Sequence, residues 1–95
     1  MSKRRYERIN SALLGDTRAQ SWSNLGLWQT GQHDYRTAAH ALAMQLATQM
    51  RLQAASSLLD VACGYGASLH VWHEMCIREI TGLEQQVACV KAWPT

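Results

Sequence analysis

One stretch constrains this chain more than any other: Leu58-Leu59-Asp60-Val61-Ala62-Cys63-Gly64-Tyr65-Gly66, with Thr81-Gly82-Leu83-Glu84 behind it. Leu58, Leu59, Val61 and Ala62 form a near-continuous apolar run, which reads as a short strand buried on both faces. Gly64 and Gly66 then turn the chain. Helical spacing resumes over residues 67 to 76, with Leu69, Trp72 and Met75 or Cys76 inward and His70, His73 and Glu74 toward solvent. Ile80 to Glu84 reads as a second strand. A strand–helix–strand unit of this length predicts a right-handed parallel crossover. Such a unit opens a ligand pocket at the carboxyl ends of its strands.

The flanking segments are less constrained. Tyr6, Ile9 and Leu13 predict a short helix over residues 6 to 14. Residues 15 to 34 read as an irregular, lid-like loop, because glycines and small polar residues dominate there. A loop of that length inside a compact domain is usually functional or loosely attached. Asp34 is a plausible N-cap for a helix over residues 35 to 54, with Ala39, Leu42, Ala43, Leu46, Ala47 and Met50 on one face. Residues 85 to 93 read as the start of a last helix, bearing Val87, Val90 and Trp93, before Pro94 ends it. The fold class is therefore α/β, an incomplete doubly wound, Rossmann-like parallel sheet of about two strands preceded by N-terminal helices.

The chain has 95 residues, whereas an open α/β fold needs roughly 150 to cover both faces of its sheet. The expectation is a piece of a larger protein, or one that packs against a partner. Hydrophobic residues make up 47% and charged residues 17%, which excludes a disordered tail. A net charge of +2, with Lys3, Arg4, Arg5 and Arg8 clustered early, gives no basic stripe for nucleic acid. No segment approaches the roughly 20 apolar residues of a membrane span. Cys63, Cys76 and Cys89 are an odd set without a close pair, which points to reduced thiols in a cytoplasmic protein.

The glycine turn carries the chemistry. Gly64 and Gly66 let a ligand approach the main chain. The helix that begins near Ala67 aims unsatisfied N–H groups at the same place. The pyrophosphate fingerprint needs a third small residue where Leu69 stands, so a dinucleotide reading fails there. No Gly-Lys-Ser or Gly-Lys-Thr unit exists, which excludes a P-loop. Asp60 stands just before the turn, where a carboxylate repels pyrophosphate and suits a cation. Glu84 ends the second strand, where a carboxylate can accept from both hydroxyls of a ribose. The alternatives are a turn or cap residue for Asp60 and a cap of the following helix for Glu84.

Together these residues resemble motif I of the class I S-adenosylmethionine-dependent methyltransferases, and Thr81-Gly82-Leu83-Glu84 is similar to the acidic strand end that follows it. Asn24-Leu25-Gly26-Leu27-Trp28, with the helix after it, resembles the N-terminal region of small-molecule members. The resemblance spans about residues 22 to 92. It implies a cofactor site of Asp60, Ala62, Cys63, Gly64 and Gly66 along the methionine part of S-adenosylmethionine, and Glu84 on the ribose. Ala62 stands where the family has its first glycine. Residues 1–34 are then an N-terminal helix and lid-like loop, and residues 35–95 the N-terminal part of the methyltransferase domain. The acceptor side has no counterpart, so the implied function is methyl transfer to a small molecule by a form inactive alone. The alternatives are a non-catalytic remnant or subunit and a fragment of a NAD-type oxidoreductase. The implied partners are the small-molecule acceptor and a second copy through an uncovered sheet edge, with neither nucleic acid nor membrane.

Three sharper ideas compete with plainer ones. His70, His73, Glu74 and Cys76 lack a His-Glu-x-x-His pattern and read as a solvated face rather than a metal site. Cys63 reads as a small buried hydrophobe rather than a nucleophile. Tyr35, His33 and Trp28 are candidates to line the lid.

Overall fold

A computed structural model describes residues 10 to 93. The predicted helix at 6 to 14 falls partly outside them, as do Lys3, Arg4, Arg5, Arg8 and Pro94. Its described part is a run of tight turns, in which Leu13, Leu14 and Gly15 N–H groups donate to the carbonyls three residues back. The elements in order are α1 (Tyr35–Gln49), β1 (Ser57–Val61), α2 (Ala67–Glu74), β2 (Glu79–Leu83) and α3 (Val87–Val90). The fold is mixed α/β. β1 and β2 form a two-stranded parallel sheet in the register Leu58↔Ile80, Asp60↔Gly82 and Val61↔Leu83.

Asp34 starts α1 as the sequence implies. Its carboxylate accepts from Thr37 N–H at 3.0 Å and from Thr37 Oγ1–H at 2.7 Å. Those bonds hold its pKa below the usual carboxylate value. The buried stripe is Tyr35, Ala39, Ala43 and Ala47, with Ala38 beside it. Leu46 and Met50, expected inside, are half exposed. Spacing by four puts the small residues on one line. That stripe shares a core with Val71, Trp72 and Ile77.

The helix also stops earlier than its apolar spacing suggests, at Gln49 rather than 54. Arg51 takes a left-handed conformation, φ 54°, and Leu52 N–H donates to Ala47 O at 3.0 Å. This is a 6→1 closure of the helix end. α2 ends in the same way. Cys76 has φ 59°, and Ile77 N–H donates to Trp72 O at 3.2 Å.

The sheet departs from expectation on its second face. Alternation along a strand sends neighbouring side chains to opposite sides. Leu58 and Ile80 pack against the helical core. Leu59, Val61 and Leu83 point the other way and stand 56%, 65% and 51% exposed. The apolar run of β1 is thus covered on one face only within the described residues, because α1 and α2 share that face. In the last element, shorter than the expected span of 85 to 93, Cys89 is buried while Val87 and Val90 are exposed. No helix among the described residues is long and apolar enough to cross a membrane.

Candidate functional site

The link between β1 and α2 is built from three left-handed residues. Ala62 (φ 59°), Gly64 (φ 59°) and Gly66 (φ 92°) reverse the chain within five positions. Such φ values are strained for a residue with a Cβ, so Ala62 holds a conformation that suits glycine. The Ala62 N–H continues the ladder by donating to Leu83 O at 2.7 Å. The amides of α2 begin at Gly66, which carries no side-chain cap.

Both predicted carboxylates reach this region, each on different partners. Asp60 lies on the covered face of β1. Its Oδ2 accepts from Ser68 Oγ–H at 2.7 Å and from Trp72 Nε1–H at 2.8 Å. Ser68 and Trp72 are four apart on α2 and so share a helix face. Their donors fix the carboxylate at the wall of a cavity of about 190 Å³, between the Ser21–Asn24 loop, Leu42 and Leu46 of α1, and Ala62 and Cys63 of the turn. Glu84 follows β2 and folds back onto the turn. Its Oε1 accepts from Gly64 N–H at 3.0 Å and its Oε2 from Gln86 N–H at 2.9 Å. Glu84 thereby ties the amide of Gln86, the residue before α3, to the glycine turn, with Gly64 and Glu84 20 residues apart. It does not line the Asp60 cavity, so the two acids flank the turn rather than face one cleft.

Cys63 is buried beneath the turn. Burial first, then the negative charges of Asp60 and Glu84, push its thiol up to about 11. A thiol so shifted stays protonated near neutral pH, which fits a packing role. Its sulfur and Leu69 occupy the open side of Gly82, where a Cβ would come within 3.1 Å and 3.0 Å of them. The close approach of α2 to β2 that a third glycine of the turn gives in dinucleotide folds is supplied here from the strand.

The loop that reaches the turn is anchored, and its contacts differ from the expected lid. Asp16 and Trp22 are both buried. Ser23 Oγ fills the side of Gly64 where a Cβ would stand. Asn24 Nδ2–H donates to Ala39 O at 3.1 Å, and the Tyr35 hydroxyl donates to Asn24 O. Tyr35 is therefore a buried anchor, and burial raises its pKa. His33 and Trp28 are exposed, with Trp28 Nε1–H donating to Leu25 O at 2.9 Å. His70 and Glu74, one turn apart on α2, lie 3.0 Å from each other.

Two contributors carry no motif in the sequence. Trp93 Nε1–H donates to Gly64 O at 2.8 Å. Its indole edge lies 2.9 Å from where a Cβ on Gly66 would stand. Ser23 comes from the opposite end of the chain. Ser68 is a further residue that the sequence motifs miss, although its i, i+4 spacing to Trp72 is a signal that places both on one helix face. A larger cleft of about 710 Å³ lies between the loop, α1 and α2, lined by Arg18, Arg36, His40 and His70 together with Asp34 and Glu74. Its two arginines are matched by its two acids. Comparison with known protein families, with curated proteins and with solved structures finds no match.

Proposed function

We propose that the chain is the N-terminal, cofactor-holding part of a class I S-adenosylmethionine-dependent methyltransferase, with a Rossmann-like arrangement and a small-molecule methyl acceptor. One observation carries this reading: the Glu84 carboxylate closes on Gly64 N–H at 3.0 Å. It joins the acid after β2 to the glycine turn after β1, the two sequence motifs on which the resemblance rests. The left-handed φ of Ala62 supports it too, since the family places a glycine there.

The chemistry of the donor set fits such a ligand. S-adenosylmethionine, when bound, supplies a sulfonium methyl to an attacking acceptor atom. Asp60 brings a negative charge to a largely apolar cavity, a setting that favours a cation over a phosphate. Each Glu84 oxygen accepts one described hydrogen bond and retains a second lone pair for a hydroxyl donor. The main-chain groups of Gly64 and Gly66 are bonded within the chain, Gly64 to Glu84 and Trp93 and Gly66 to Cys63 and His70, so a ligand reaches this glycine patch only once its cover is displaced. A NAD-type reading is disfavoured, because Asp60 stands where a pyrophosphate would be repelled. Among the described residues none takes the part of a general base, so binding without turnover is the expected behaviour of this chain. A cytoplasmic setting accompanies the reading, with Cys63, Cys76 and Cys89 forming no disulfide.

Calorimetric titration with S-adenosylmethionine and, separately, with NAD tests the proposal. Saturable binding of the first and none of the second is expected. Asp60→Ala and Glu84→Ala are each expected to weaken binding about tenfold or more, the scale of one charge-assisted hydrogen bond. Preference for NAD, or undiminished affinity in both variants, refutes the assignment.

A further inference from the structure

The glycine turn is covered by parts of its own chain. The Trp93 indole bonds Gly64 O through Nε1–H and lies against Gly66. Ser23 covers Gly64 from the other side. These two covers are tied together, because Gln20 Nε2–H donates to Ala92 O at 3.0 Å. α3 delivers the indole: the Lys91, Ala92 and Trp93 N–H groups continue its turns by donating to Val87, Cys89 and Val90 O. The cover thus spans 29 residues from Trp93 back to Gly64, and 72 from Ala92 back to Gln20.

Its members differ from the packed core. Trp22 and Trp72 are 6% and 4% exposed. Trp93 and Gln20 are half-buried, and Ser23 is exposed. The indole packs on the rim of the core and is held at the turn by one hydrogen bond and one neighbouring tether, so its outward swing uncovers the turn while Trp22 and Trp72 stay buried. It also covers the patch of main chain that a nucleoside ligand of the proposed kind has to reach.

We infer that Trp93, backed by the Gln20–Ala92 tether, is a gate that closes the glycine turn in the ligand-free chain and must swing out before the cofactor enters. The identity of the entering ligand rests on the proposed function; the closure does not. Closure lowers the apparent affinity by the fraction of molecules that are open. Weakening the gate by one neutral hydrogen bond is expected to raise that affinity about fivefold.

The experiment follows the indole N–H of Trp93 by NMR hydrogen exchange in the full chain, assigned by its disappearance in Trp93→Phe. In the ligand-free protein this proton is expected to be protected, and Gln20→Ala is expected to speed its exchange about fivefold. Titration with S-adenosylmethionine is then expected to abolish the protection, and Trp93→Phe to bind about fivefold more tightly than the parent. An indole that exchanges at the free rate without ligand, or is indifferent to Gln20→Ala, overturns the closure. Equal affinity of parent and Trp93→Phe overturns the gate while leaving the proposed function intact. Protection that depends on Gln20, with no S-adenosylmethionine binding in any form, upholds the closure and removes the proposed function instead.

Discussion

The Asp16 carboxylate takes four hydrogen bonds: from Arg18 Nε–H at 2.8 Å, Arg18 Nη2–H at 3.0 Å, Trp22 N–H at 2.9 Å and Arg18 N–H at 3.4 Å. It is fully buried while its guanidinium partner is 43% exposed. The Arg18 side-chain bonds outweigh burial, which alone would raise the pKa, and with the Trp22 amide they lower it from 3.8 to about 2. A depressed carboxylate contributes stability that is present above its unfolded pKa and lost as pH falls through its folded one. The window here runs from about 4 down to about 2, and the contribution is about 2 kcal/mol. Urea melts of the parent between pH 6 and pH 2 are expected to show this acid loss, and Asp16→Asn is expected to be less stable at neutral pH and flatter across the window. Equal slopes for the two proteins would assign the acid loss to other groups. The sequence showed Asp60, Glu84, Gly64 and Gly66 because they recur in a pattern of fixed spacing. Asp16 and Arg18 show no such pattern: an i, i+2 spacing is the strand period, but no strand runs through residues 15 to 34. Their role depends on burial, which the local sequence does not encode.

At the scale of elements the order and most spans were legible, and the ends were not. β1 and β2 lie within one residue of their expected starts, because apolar runs bounded by turn residues mark strands well. α1 and α2 stop earlier than their spacing suggests, for the same reason in both. The left-handed closing residue of a helix is commonly glycine, and the sequence offers Arg51 and Cys76 instead. Leu52 and Ile77, which follow these residues, return the chain to the core beyond each helix end. An L-residue in that conformation costs about 1 kcal/mol or more relative to glycine. Arg51→Gly and Cys76→Gly are therefore each expected to raise unfolding free energy by up to about 1 kcal/mol, with helical circular dichroism unchanged. Chemical denaturation reads this directly. A loss of stability in both would mean that the glycine's extra freedom in the unfolded chain outweighs the strain.

For the molecule as a whole, the decisive fact is where the apolar surface lies. The sequence indicates a strand buried on both faces, and among the described residues one face is covered. Val61 and Leu83 are directly paired across the two strands and both look outward, at 65% and 51% exposed. Leu59 extends that surface along β1, and Val87 adds to the chain's exposed apolar side chains at 67%. Parallel sheets are as a rule covered on both sides, since a bare face leaves apolar area in water. Among the described residues both strands also carry an unpaired edge, an invitation to further pairing. The isolated chain is thus expected to self-associate, with an average mass by sedimentation equilibrium that climbs with concentration. Val61→Lys combined with Leu83→Lys places two like charges opposite each other on the bare face, where each is solvated in the monomer and buried in any face-to-face assembly. That double variant is expected to remain monomeric over the same range. Because Asp60, Gly64 and Glu84 contact other groups, it should also keep the parent's affinity for S-adenosylmethionine. A parent that stays monomeric at every concentration shows that this face tolerates water. A charged variant that still associates moves the contact from the face to the strand edges, where backbone pairing is indifferent to the side chains at 61 and 83.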